Sequence, residues 1–133
     1  KNHTVLLIDS LNKSFVKCYN YAKTLQSDIT IVHVSTDPNK DIKLSQSLKD
    51  FGIDEEITFL PAPYREIRTT FCKFLQKMSS ETWKDDKITV VFPQLISSHI
   101  HDNFLHNQLT LIMRTSLLTQ KHIAIVTIPY IIK

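Results

Sequence analysis

Five short β-branched apolar runs alternate with stretches of helical spacing, and this alternation constrains the chain more than any other feature. The first run, Val5-Leu6-Leu7-Ile8, is apolar at every position and ends in Asp9-Ser10. That is the profile of a central parallel strand buried on both faces. Residues from Leu11 to Gln26 carry Phe15, Cys18, Tyr19, Ala22 and Leu25 at helical intervals. Ile29 to Val34 forms a second strand, and Asp37-Pro38-Asn39 signals a helix start. Ile42, Leu48 and Phe51 mark one face of that helix, which Gly52 closes. Ile57 to Leu60 is a third strand, halted by Pro61-Ala62-Pro63. Tyr64-Arg65 opens a helix through Ile67, Phe71, Leu75 and Met78. Lys87 to Phe92 is a fourth strand, stopped by Pro93. Ser97 and Ser98 are N-cap candidates for a helical region running to Gln120, and Ile123 to Ile128 is a fifth strand before Pro129-Tyr130. With no linker or repeat inside this pattern, residues 1–133 are expected to form a single α/β domain. Its sheet is expected to be doubly wound, open, parallel and five-stranded.

Composition narrows the function classes. The hydrophobic content of 42% with 22% charged residues is that of a folded domain rather than a disordered one. The net charge of +3 is spread without any basic stripe. That pattern suits a small anionic ligand better than a nucleic acid. Cys18 and Cys72 stand alone, with no CxxC spacing, and read as buried thiols in a reducing compartment. No apolar stretch reaches the roughly 20 residues needed to span a bilayer, and no signal peptide is visible. A start at Lys1 rather than Met is compatible with a piece of a longer protein.

Open parallel sheets bind ligands outside the carboxyl ends of their strands, near the point where strand order reverses. The candidates are therefore Asp9, Ser10, Leu11 and Asn12 after the first strand, and His33, Val34 and Ser35 after the second. Pro61 to Arg65 follows the third, Pro93 to Ser98 the fourth, and Pro129-Tyr130 the fifth. Asp9-Ser10 has two open readings: recognition of an adenine amine or ribose hydroxyl, or capping of the next helix. Tyr64 could stack on a base and Arg65 could pair with phosphate, while Arg68 reads as part of a solvated first turn with Glu66. His99, His101, Asp102 and His106 invite a metal or acid–base hypothesis. No second motif supplies further ligands, so a polar helix is the simpler reading, and no metal is expected. There is no GxSxG elbow, and nothing else visible would carry bond breaking, so no catalytic residue is expected.

The order of elements and the Val-Leu-Leu-Ile-Asp-Ser opening resemble a universal stress protein domain along the whole chain. That family often binds ATP through a glycine-rich motif, G-x2-G-x9-G-[S/N], after its fourth strand. Laid on this chain, the three glycines fall on Pro93, Ile96 and His106, and the last position on Asn107; only Asn107 matches. The chain holds a single glycine, Gly52, and each side chain added to such a loop crowds a phosphate.

A second resemblance accounts for the departure. Ile8-Asp9-Ser10-Leu11-Asn12, Val32-His33-Val34-Ser35-Thr36, Pro63-Tyr64-Arg65, Ile88-Thr89-Val90-Val91 followed by Pro93, Leu105-His106-Asn107-Gln108 and Pro129-Tyr130 resemble one subfamily. It is the cytoplasmic, universal-stress-protein-like C-terminal domain of KimA-type potassium importers, in the amino acid–polyamine–organocation superfamily. The resemblance implies a dimeric regulatory domain, linked to a transmembrane transporter, that binds the second messenger cyclic di-AMP and thereby inhibits potassium uptake. It further implies adenine recognition by Asp9 and the His33–Val34 backbone, stacking by Tyr64, and phosphate or ribose contacts by Arg65, Asn107 and Gln108. Ser10, Asn12, Ser35 and His106 complete the expected ligand set. Two alternatives stand beside it: an ATP- or AMP-binding stress-protein-like module, and a ligand-free dimerisation domain of a permease-type transporter.

Overall fold

The computed structural model describes residues 1–63, 66–97 and 122–132. Five strands, β1 (Asn2–Leu7), β2 (Asp28–Ser35), β3 (Glu56–Pro61), β4 (Lys87–Ser97) and β5 (Ile123–Ile132), form one sheet in the order β3-β2-β1-β4-β5. Every neighbouring pair is parallel, as the apolar runs imply. Three helices are interleaved: α1 (Lys13–Lys23), α2 (Pro38–Phe51) and α3 (Ile67–Ser80). Strand order reverses between β1 and β4, and α1 and α2 pack on one face of the sheet while α3 packs on the other.

Two buried clusters show the double winding. On one face, Leu6, Ile8, Ile31 and Val91 meet Phe15, Cys18 and Ala22 of α1 and Leu44 and Leu48 of α2. On the other, Val5, Val32, Val34, Val90 and Phe92 meet Phe71, Cys72 and Leu75 of α3. Adjacent β1 residues thus serve different cores: Val5 is 0% exposed on one side and Leu6 1% on the other. A strand covered twice has no polar face to offer, which is why its run is continuous rather than alternating.

The helix starts and stops follow side-chain chemistry. Asp37 caps α2, its Oδ1 accepting from the Asn39 N–H at 3.0 Å, with Pro38 in the first turn. Gly52 ends α2 at φ 95°, and the next residue, Ile53, donates its N–H back to Leu48 O at 2.9 Å. Gly52 is thus a helix terminator and takes no part in a phosphate loop.

The prolines behave differently from expectation. Neither Pro93 nor Pro129 ends its strand: β4 runs on to Ser97 and β5 to Ile132, with Pro93 opposite Ile128 and Gln94 opposite Pro129. The direction of the backbone groups explains this. Lys87 N–H bonds Lys1 O on the β1 side and Ile88 N–H bonds His122 O on the β5 side, so odd-numbered β4 residues face β1. The last β1–β4 pair is Leu6↔Val91, and by the same step residue 93 would donate to Leu7 O, the last carbonyl of β1, so Pro93 forgoes one bond just where that ladder ends. By the same alternation Pro129 faces the outer edge of β5, where no described strand needs an N–H. Lys17 Nζ of α1 donates to Pro129 O at 2.5 Å. Ser97, expected as a helix cap, lies inside β4. Ser98 and the expected helical region to Gln120 lie outside the described residues.

Two ionic clusters brace the ends. His3, buried and stacked on Trp83 at 4.1 Å, meets Asp86 through Nε2 at 2.8 Å. Tyr19 donates its hydroxyl to Glu55 at 2.6 Å, and Lys23 Nζ donates to the same carboxylate at 2.9 Å. The His3 contact holds the Asp86 carboxyl below its ordinary 3.8 against a smaller opposing effect of burial. For Glu55, burial pushes upward, but the Tyr19 and Lys23 hydrogen bonds together outweigh it and leave the group below its ordinary 4.5.

Both carboxylates have folded-state pKa values below their unfolded ones. Their stabilisation is therefore complete above the unfolded values and lost as pH falls through the folded ones. Thermal melts between neutral pH and strong acid are expected to show stability falling once pH drops below these ordinary values. Glu55→Gln and Asp86→Asn are each expected to flatten that fall. Separately, Gly52→Ala is expected to lower the urea-unfolding free energy by about 1 kcal/mol. That cost is purely conformational, since a methyl there meets nothing within 4 Å.

Candidate functional site

The β1–β2 pairing ends at Leu7↔Val32 and the β1–β4 pairing at Leu6↔Val91, while β2 continues to Ser35 and β4 to Ser97. The central strand therefore stops short of both neighbours. The resulting notch lies at the carboxyl edge of the sheet, at the point where strand order reverses. Asp9 and Ser10 turn out of β1 at its floor, and both are exposed. Counting on from Leu7↔Val32 puts Asp9 level with Val34.

Capping of α1 belongs to Asn12. Its Oδ1 accepts from the Phe15 N–H at 2.9 Å and from Ser14 Oγ at 2.7 Å, and its Nδ2 donates to Ser10 Oγ at 3.3 Å. The sequence left open whether Asp9 and Ser10 serve the helix; Ser10 supports the cap residue, and Asp9 does not cap. With Asn12 in the cap position, the Asp9 carboxylate has no hydrogen-bond or ion-pair partner among the described residues. The first turn of α1 holds no acidic residue and begins with exposed Lys13. The positive end of the helix dipole at the notch is thus reinforced rather than neutralised.

The β2 side contributes both backbone and side chains. Ile8 N–H bonds Val32 O, and Ala62 N–H bonds Ser35 O, so even-numbered β2 residues face β1 and odd-numbered ones face β3. Val34 therefore directs its N–H and C=O toward β1, past the last registered β1–β2 pair, while its side chain is buried in the α3-side core. The His33 ring is also buried and turned into the protein. Its Nδ1 is 2.8 Å from Ile8 O, and a carbonyl can only accept, so Nδ1 carries the proton. Nε2 faces Asp41 Oδ1 of α2 at 3.6 Å, and the other Asp41 oxygen accepts from Ser35 Oγ at 2.5 Å. Phe59 meets the imidazole edge-on.

Thus Asp9, Ser10, Asn12, Val34 and Ser35 converge on one edge of the sheet, as expected of strand-end residues. His33 joins them through its backbone, with its side chain committed inward. Pro61 and Pro63 are exposed beside them, with Ala62 tied to Ser35. Tyr64, Arg65, His106, Asn107 and Gln108, together with His99, His101 and Asp102, lie outside the described residues. Lys13 and Asp41 were not singled out by sequence reasoning. An acid-free first helical turn is a readable signal for Lys13. Asp41 has none, because its contact with His33 arises only when α2 folds back over β2. Burial pushes the Cys18 thiol up to about 11 despite nearby Lys17, so it remains a protonated core group.

Separate roles for Asp9 and Asn12 predict separable effects. Asn12→Ala is expected to cost about 1 kcal/mol of folding stability, as loss of a cap does. Asp9→Ala is expected to change stability by no more than about 0.5 kcal/mol, as surface substitutions without partners do. Parallel urea melts of the two variants check both.

Comparison with known proteins adds an independent line. Residues 1–130 match the family described as the KimA potassium transporter C-terminal domain. Over 115 residues the chain is 30% identical to the potassium transporter KimA of Bacillus subtilis (strain 168), covering 86% of this chain and 19% of that protein. The chain thus spans about a fifth of its relative's length. A parallel sheet with a notch at its switch point, matched along nearly its whole length by one family, makes this chain a member of the KimA potassium transporter C-terminal domain family.

Proposed function

We propose that this chain is the regulatory domain of a potassium importer and that its strand-end notch binds cyclic di-AMP, holding the attached transporter in a non-transporting state. The observation that carries the reading is the Asp9 carboxylate, exposed at the switch point and relieved of capping by Asn12. An adenine edge presents an amine donor beside a ring-nitrogen acceptor. Asp9 and the Val34 C=O can accept from the amine, and the Val34 N–H can donate to the ring nitrogen. Phosphate suits the α1 N-terminus, where Lys13 replaces the usual first-turn acid. Tyr64 supplies stacking, and Arg65, Asn107 and Gln108 supply donors to phosphate or ribose.

A compact dinucleotide ring also fits the glycine count. A triphosphate loop requires bare backbone after β4, whereas two phosphates held by side chains do not. The ligand's two-fold symmetry matches a two-fold homodimer, in which each copy offers the same residues. The outer edge of β5 has no strand partner among the described residues. Control of transport is then a shift between two arrangements of the paired domains, limited by the ligand's differential affinity for them. The notch recognises and does not transform its ligand.

Titration calorimetry with cyclic di-AMP, ATP and AMP tests the reading. Cyclic di-AMP is expected to bind much more tightly than the mononucleotides. Asp9→Ala and Arg65→Ala are each expected to weaken it about tenfold or more, the cost of one charge-assisted contact of ~1.5–3 kcal/mol. Tight ATP binding without a cyclic di-AMP response overturns the proposal. A stable dimer whose melting temperature no adenine nucleotide moves points instead to a purely structural domain.

A further inference from the structure

His33 was expected to serve the ligand through its backbone; its ring is turned away from the open edge and makes three internal contacts. Nδ1–H donates to Ile8 O at 2.8 Å, the carbonyl immediately before Asp9. Nε2 points at Asp41 Oδ1 at 3.6 Å, an oxygen that is buried and has no hydrogen-bond partner among the described residues. Phe59 of β3 closes the side of the ring, with centroids 6.0 Å apart and planes at 84°. One imidazole therefore connects the first carbonyl beyond β1, the first turn of α2 and Phe59 of β3.

We infer that the His33 side chain is a positioning residue: it fixes the Ile8–Asp9 peptide, and with it the Asp9 carboxylate, relative to α2 through Asp41. The physical case is one of anchoring. Past Leu7 the β1–β2 ladder ends, so the chain leading into Asp9 loses the regular bonds that hold the strand. Ile8 keeps one ladder bond through its N–H to Val32 O at 2.9 Å, and its carbonyl is held by His33. Without that second bond the Ile8–Asp9 peptide can rotate, and a carboxylate that must meet a ligand edge within a few tenths of an ångström loses its preorganisation. The Asp41 carboxylate lies behind the ring, its Oδ1 3.6 Å from Nε2 and without a hydrogen bond among the described residues, while Ser35 Oγ donates to its other oxygen at 2.5 Å. A small displacement of α2 thus reaches Asp9 by a continuous path of named contacts.

The affinity measurement rests on the cyclic di-AMP reading; the spectroscopic one does not. In amide NMR spectra of the 133-residue chain, His33→Gln removes the δ-position donor and is expected to shift the Asp9 and Ser10 amides. His33→Asn, whose amide nitrogen can reach the same carbonyl, is expected to restore them toward wild type. Asp41→Ala is expected to move the Asp9 amide in the wild-type background but not in His33→Gln, a non-additivity that marks coupling through the ring. In calorimetry, His33→Gln is expected to weaken cyclic di-AMP about three- to tenfold, the range of one lost hydrogen bond, with recovery in His33→Asn. Unmoved Asp9 and Ser10 amides in His33→Gln overturn the inference, as do additive Asp41 and His33 effects. Equal loss in both His33 variants, tracking only melting temperature, also overturns it and leaves an ordinary core histidine. If His33→Gln does not fold, the Asp41→Ala shift at Asp9 decides alone. If the wild-type chain ignores cyclic di-AMP, the ligand reading fails while the amide shifts still decide the positioning role.

Discussion

The short central strand is the constraint on which the other features of this domain depend. β1 is paired on both edges and covered on both faces, so Val5 and Leu6 pack into different cores. Its pairing nevertheless stops at Leu7 on one side and Leu6 on the other, while β2 and β4 run on. A fully buried strand that ends early leaves a notch whose walls are its own neighbours. The polar backbone at the top of β2 then has no partner strand facing it. In a low-dielectric frame such groups are costly to leave unpaired, which is the physical basis of the binding site proposed there.

The same early ending explains why β4 can contain a proline. Pro93 removes a donor that would face Leu7 O, so it costs a single bond at the very end of β1, after the registered pairs have stopped. Pro129 removes one from the outer edge of β5, where Lys17 instead engages its carbonyl. The two strands can therefore extend together as a parallel ribbon past the body of the sheet, bounding the notch on the β4 side. A glycine-rich phosphate loop and a continued strand are alternative uses of the chain at this place. With only Gly52 available, and that committed to ending α2, this chain takes the second.

Within the notch, structural and functional demands fall on different residues. Asn12 caps α1, Ser10 buttresses Asn12, and the His33 ring holds Ile8 O. These contacts leave Asp9, the Val34 backbone and Lys13 without such structural duties at the open edge. The exposed groups at this edge are therefore not those that terminate or tie together the elements, so substituting them is expected to cost folding little.

The sequence by itself determined the strand and helix alternation, the parallel sheet and the Gly52 stop. It also placed Asp9, Val34 and Ser35 at the carboxyl edge. Local periodicity and local φ preference suffice for these, because each is decided within a few residues of chain. Only the tertiary structure decided that Pro93 and Pro129 lie inside strands, since a missing donor matters only if a neighbour faces it. The choice of Asn12 as cap rests on Phe15 and Ser14 and is local, whereas the tertiary structure alone joined His33 to Asp41 and Ile8. Those outcomes depend on which way a backbone group or ring points once neighbouring strands end, and that direction is set by contacts distant in sequence.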